Sequence, residues 1–291
     1  MPELPEVETV RLGLRKLIIG KQIDQVEYDW PKSFPNDQLV VKNFLYDSKI
    51  KKLRRRAKVL MIDLDSDYSL VIHLKMTGQI VFRSTKESFG AGHPSDSLVN
   101  KLPDKSTRVT INFKDGSKLF FNDQRKFGWM RLMPTSKIKD IDFFKHVGPE
   151  PLEPSFTAQV LKSQLNKRPN LFIKAALLDQ TVVAGIGNIY ADESLWLAKI
   201  HPSTRVKDLK DSQIKKLHKS ITEVLNLSLK KGGSSDKNYV NAKGEKGSYL
   251  NFANVFRREN QPCLRCGTNI QKIKLVGRGT HFCPKCQIIK T

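Results

Sequence analysis

The chain has 291 residues, enough for one large domain or two ordinary ones, and 39% of them are hydrophobic, enough for real cores. A formal charge of +22 calls for a polyanionic partner, which DNA, RNA or an anionic membrane surface could supply. No apolar run approaches the ~18 residues needed to span a bilayer. The acidic opening Met1-Pro2-Glu3-Leu4-Pro5-Glu6 also lacks the apolar core of a secretion signal, so the cytoplasm is the expected compartment.

Residues 6–18 are spaced as an amphipathic helix, with Val7, Val10, Leu14 and Leu17 on one face, and Gly20 can end it. The basic run Lys51-Lys52-Leu53-Arg54-Arg55-Arg56-Ala57-Lys58 suits a solvated face as well as a nucleic-acid contact. Val59 to Leu64 and Ser69 to Leu74 flank Asp65-Ser66-Asp67-Tyr68 and predict a hairpin. Val109, Ile111 and Phe113 alternate before Asp115-Gly116, and Leu119 and Phe121 continue beyond that turn. Most of 20–135 therefore reads as antiparallel sheet, a sandwich or flattened barrel. Residues 84–106, rich in Ser, Gly, Pro and Lys, read as a flexible surface loop.

Pro149, Pro151 and Pro154 then mark a stiff connector. Beyond it helices are expected near 156–166, 171–179, 188–198 and 211–230, the last ended by Gly232-Gly233. The expected domains are 1–147, a linker over 148–155, a helical domain over 156–260 and a closing module over 261–291. Residues 201–291 hold 19 Lys/Arg against 6 Asp/Glu, so much of the positive charge lies at this end. The four cysteines fall here as Cys263-x2-Cys266 and Cys283-x2-Cys286. Thiols two residues apart can grip one face of a tetrahedral ion. Two disulfides or free thiols are the alternatives, but a signal-less chain in a reducing compartment favours one structural zinc ion, standing in for a core too small to fold the segment.

Pro2 offers a different chemistry. Removal of Met1 would leave a secondary amine. An α-amino group titrates near ~8, far below the ~10.4 of lysine, so part of it is neutral at pH 7. A neutral amine can attack an aldehyde-level carbon and form an iminium. Considered alone, Pro2 would be the lead into a helix.

Pro2-Glu3-Leu4-Pro5-Glu6-Val7-Glu8-Thr9 resembles the N-terminal signature of formamidopyrimidine-DNA glycosylases. Arg55-Arg56-Ala57-Lys58, His73-Leu74-Lys75-Met76-Thr77-Gly78, Gln124-Arg125-Lys126-Phe127-Gly128, Gly185-Ile186-Gly187-Asn188-Ile189-Tyr190-Ala191 and Gly277-Arg278-Gly279-Thr280-His281-Phe282-Cys283 match in the same order. The related endonuclease VIII branch, which acts on oxidised pyrimidines, normally has Gly where this chain has Leu4. The resemblance implies an α+β protein with an N-terminal β-sandwich, a C-terminal helical domain with a helix–two-turns–helix motif, and a four-cysteine zinc finger. It implies a bacterial, nucleoid-associated base-excision enzyme for double-stranded DNA carrying oxidised bases or abasic sites, with no membrane partner; a monomer is only the default expectation. A non-catalytic binder of damaged DNA would share the charge and the finger but would not require Pro2, Glu3 and Lys58.

By match, Pro2 is the nucleophile, Glu3 the general acid/base, and Glu6 a weaker candidate that orients the site. Lys58 binds the phosphates beside the flipped nucleotide and assists elimination, Arg278 grips a phosphate of the lesion strand, and both are counted as catalytic, with His73 and Asn188 as further DNA contacts. Met76, Arg125 and Phe127 fill the space the base vacates, although by residue type alone Met76 and Phe127 would be core. Lys243 to Tyr249 match a lid over the extruded base. The chain departs from the family pattern at Leu171, Phe172 and Ala175, at Ser106 and Arg108 where histidines are common, and at Phe256-Arg257.

Overall fold

The computed structural model describes residues 1–93, 95–233 and 249–289. Met1–Lys145 form one compact unit; His146–Lys230 and the segment from Tyr249 onward form another.

The first unit opens with α1 (Leu4–Ile18), whose Val7, Val10, Leu14 and Leu17 are buried as the spacing predicts. A lone 15-residue helix is marginal in water. Burial of those side chains, each worth about 1.5–3 kcal/mol, is what holds it. The strands follow: β1 (Ile23–Tyr28), then after a short α2 (Gln38–Phe44), β2 (Ile50–Arg56), β3 (Val59–Leu64), β4 (Tyr68–His73), β5 (Gly78–Arg83), β6 (Ser88–Gly92), β7 (Thr107–Phe113), β8 (Lys118–Asp123) and β9 (Trp129–Pro134). They make two antiparallel sheets, ordered β1-β7-β8-β5-β6 and β2-β3-β4-β9. Ile62 and Ile72 of one sheet, Ile80 and Phe121 of the other, and the apolar face of α1 share one core. The expected hairpin is β3–β4, with Val59 opposite His73.

The expectation of a loop over 84–106 needs correction. β6 lies within that stretch and pairs with β5, Phe89 facing Phe82. Its Gly90, Ala91 and Gly92 conceal a strand from any reading by propensity. Gly92 is required by a close approach, since a Cβ there would lie 2.5 Å from the Gly78 carbonyl oxygen, and Phe89 packs so tightly on α1 that a Cβ at Gly13 would lie 2.1 Å from its ring.

A short α3 (Asp142–His146) follows β9 in the chain, and α4 (Ala158–Asn166), α5 (Ile173–Leu178), α6 (Asn188–Ala198) and α7 (Asp211–Lys230) build the second unit. Two successive turns over 179–187 join α5 to α6, the helix–two-turns–helix. Gln180 braces them: its amide nitrogen donates to Leu178 and Ile186 carbonyls, and its oxygen accepts the Gly185 N–H. Gly148 and Pro149 bond to the same segment through Gln180 and Ala184. The hairpin β10 (Gln271–Leu275) and β11 (Arg278–Phe282) belongs to this unit. Among the described residues no helix is long and apolar enough to cross a membrane. The lid expected over Lys243 to Tyr249 lies outside the described residues except for Tyr249, which is buried.

Candidate active site

Glu3 is the N-cap of α1 and forms a capping box with Glu6: the Glu3 N–H donates to Glu6 Oε2 at 2.8 Å. Both carboxylates are nearly inaccessible, at 3% and 5% exposure. Pro2 is buried at the head of this turn and Met1 is exposed. One turn further on, Glu8 takes hydrogen bonds from Arg11 and Arg55. Burial alone would raise the Glu8 pKa, but the two guanidinium groups outweigh it and hold the carboxyl below its ordinary value. Arg55 also donates to the Ala57 carbonyl. One guanidinium thus ties the first turns of α1 to the β2–β3 turn, where Ala57 takes the left-handed conformation.

Lys58 occupies that turn and is 6% exposed, so it is not a solvated charge. Val59, the next residue, pairs across the ladder with His73. Burial, with Lys75 and Lys58 close by, pushes the His73 imidazole down to about 3. Its Nδ1 accepts the Lys75 N–H at 2.9 Å, which assigns the ring proton to Nε2 and leaves a neutral donor there. Met76, half-buried, follows in the turn before β5.

Arg125 and Phe127 project from the loop after β8. Phe127 is 54% exposed, contrary to its residue type, and the Arg125 guanidinium lies 4.9 Å above its ring. An apolar ring is thus left outside beside a cation. Asp123, which the sequence reading passed over, holds this loop through the N–H groups of Phe127 and Gly128. The departures Ser106 and Arg108 are structural: Ser106 bonds Ser97 and Asp104, and Arg108 pairs with Asp29 and donates to the Asp123 carbonyl.

In the second unit, Asn188 opens α6 and does not serve as its cap, which is Gly187. Its amide donates to the Gly279 carbonyl at 3.0 Å, beside exposed Arg278 at the start of β11. Lys174, 1% exposed, reaches the same carbonyl at 3.1 Å and Thr280 Oγ1 at 2.8 Å. It pairs with Asp192 at 2.7 Å, whose other oxygen accepts the His281 N–H at 2.9 Å. The structure therefore brings Asn188 and Arg278 together and backs them with a buried ion pair that no spacing signalled. Phe172 takes the Arg205 guanidinium over its ring, and Phe256 sits edge-on to His281.

The four cysteines are free thiols whose sulfurs all lie within 4.8 Å of one another. Cys266 and Cys283 are 3.4 Å apart, Cys263 and Cys286 4.0 Å. Tetrahedral zinc thiolate with bonds near 2.3 Å requires about 3.8 Å between sulfurs, so the cluster suits the ion. Hydrogen bonds from Thr268 bring Cys266 down to about 6, while burial pushes Cys283 up to about 12. A divalent cation would supply the charge that lets the buried thiol ionise. The accompanying core is small: Trp196, Val255 and Ile270 besides the cysteines.

Comparison with known proteins agrees with this arrangement. The profile of the Formamidopyrimidine-DNA glycosylase N-terminal domain matches residues 1–130, that of the Formamidopyrimidine-DNA glycosylase H2TH domain residues 147–239, and that of the zinc finger found in FPG and IleRS residues 260–288. A formamidopyrimidine-DNA glycosylase of Pediococcus pentosaceus is 41% identical over the full length of both chains. The complex of a Lactococcus lactis FPG mutant with a Fapy-dG containing DNA superposes with a TM-score of 0.86 at 38% identity, covering 98% of this chain and 99% of that one. The complex of Lactococcus lactis Fpg with an abasic site containing DNA gives the same values. This chain belongs to the formamidopyrimidine-DNA glycosylase family.

Proposed function

We propose that this protein is a bifunctional DNA glycosylase and abasic-site lyase that removes oxidised purines, 8-oxoguanine and formamidopyrimidines, from double-stranded DNA. The observation that carries the reading is the pairing of Pro2 and Glu3 at the buried head of α1, which phosphate binding alone does not require. The DNA-bound relatives, one on ring-opened guanine and one on an abasic site, support the substrate class.

With Met1 removed, the Pro2 nitrogen attacks C1′ of the extruded nucleotide. The glycosidic bond breaks, the base departs, and Glu3 protonates the ring oxygen as the sugar opens to an iminium. Loss of a proton from C2′ then expels the 3′ phosphate. A second elimination expels the 5′ phosphate, and water releases the sugar remnant from the amine. Lys58, neutral His73, Asn188 and Arg278 bind backbone phosphates, while Met76, Arg125 and Phe127 fill the gap in the stack. Flipping costs a few kcal/mol of unstacking, as the handling of single bases by glycosylases in general requires. Cys263, Cys266, Cys283 and Cys286 would hold one zinc ion, which shapes the finger and takes no part in bond making.

Borohydride reduction on a lesion duplex tests the mechanism. The mature wild-type chain should be trapped covalently, and a chain N-acetylated at Pro2, whose nitrogen is then an amide, should not. Full-strength trapping by the acetylated chain, or by one that keeps Met1, would rule out the Pro2 nucleophile.

A further inference from the structure

Asp123 is a fully buried carboxylate, 0% exposed, at the foot of a loop whose next four residues are all exposed. A carboxylate stays in such a place only when donors satisfy it. Four converge here from two separate loops. Oδ1 accepts the Thr77 hydroxyl and the Arg125 N–H, the latter at 3.2 Å. Oδ2 accepts the Phe127 N–H at 2.8 Å and the Gly128 N–H at 2.6 Å. The main chain is pinned as firmly: the Asp123 N–H donates to Ser106 at 2.7 Å, and its carbonyl accepts from Arg108 Nε at 2.9 Å. Gly128 is required for the approach, since a Cβ there would lie 2.5 Å from the Phe121 ring and 3.1 Å from Asp123 Oδ2.

Thr77 follows Met76 directly, and the other three donors belong to the loop of Arg125 and Phe127. We infer that Asp123 is a positioning residue that fastens the Met76 turn to the Arg125–Phe127 loop, so that the three side chains enter the duplex as one preformed wedge. This rests on the base-excision reading above and says which of its steps the carboxylate serves: extrusion of the base, not the chemistry at Pro2. An abasic nucleotide has no base to unstack, so the wedge matters less there.

The test compares two substrates in full-length protein. In Asp123→Asn an amide replaces one acceptor and faces backbone donors. Single-turnover excision from an 8-oxoguanine:cytosine duplex should fall about 100-fold, the usual penalty for misplacing a positioned group by an ångström. Borohydride trapping on an abasic duplex should change little. In a Phe127→Ala background the same substitution should cost much less, because the two act through one contact. Thr77→Val removes only the link to the Met76 turn. It should reproduce the split at smaller size, and it decides the matter if the Asp123 variant does not fold. Unchanged excision by both variants, or equal losses on both substrates with a lowered melting temperature, would overturn the positioning role. Failure of the wild-type chain to be trapped on either substrate would instead overturn the base-excision reading itself.

Discussion

Single residues here carry two duties whose physics can be separated. Glu3 is both the cap that starts α1 and the acid proposed for ring opening. The sequence motif showed the residue, and only the structure shows that Glu6 answers it across the capping box. His73 gives a sharper case. Its folded pKa lies near 3, against 6.5 for the ordinary imidazole. Between those values the unfolded chain takes up a proton that the folded chain refuses, so unfolding is favoured as pH falls. The contribution to stability is complete above pH 6.5, is lost progressively down to about 3, and is constant below that. His73→Gln should therefore flatten this part of a plot of melting temperature against pH, leaving the limb above 6.5 unaltered. An undiminished acid slope in the variant would assign it to other groups. Phe127 could not have been placed outside by residue type, because exposure of an aromatic ring is a property of its loop and not of its chemistry. Asp123 was equally hidden: its four donors lie in loops separated by the whole of β5 to β8.

At the scale of elements, what was legible followed periodicity. Val59 to Leu64 and Ser69 to Leu74, apolar runs flanking a polar turn, and the alternating Val109, Ile111 and Phe113 became paired strands, and the four helical spacings became α4 to α7. What was not legible was written in small residues. β6 is hidden by Gly90, Ala91 and Gly92, and its place against α1 depends on the absence of a side chain at Gly13. Two effects compete there. Alanine in a helix gains about 1 kcal/mol over glycine, whereas overpacking a core costs about 1–3 kcal/mol. With the added carbon 2.1 Å from the Phe89 ring, the clash wins, so Gly13→Ala should destabilise the protein in urea unfolding. In a Phe89→Ala background the sign should reverse, and a destabilising Gly13→Ala in that background would show that the ring is not the obstacle.

For the molecule as a whole, charge is the governing quantity. With +22 spread over 291 residues, DNA affinity should fall steeply with salt, and log Kd should rise linearly with log salt concentration. Arg278→Ala should lower the slope by about 1, one phosphate contact fewer, and should weaken damaged and undamaged duplexes to a similar degree. A slope equal to that of wild type would remove Arg278 from the phosphate contacts. Arg278 opens β11 and Cys283 follows its last residue, and the carbonyl after Arg278 is held by Lys174 and Asn188. The thiol cluster and the arginine proposed to grip a phosphate are therefore parts of one mechanical piece. Oxidants that attack the cysteines, or chelators that strip the ion, would disarm repair by loosening its hold on the substrate while the amine at the other end of the chain stayed chemically competent. On the function proposed above, the enzyme's exposure to oxidative stress would thus lie in its grip.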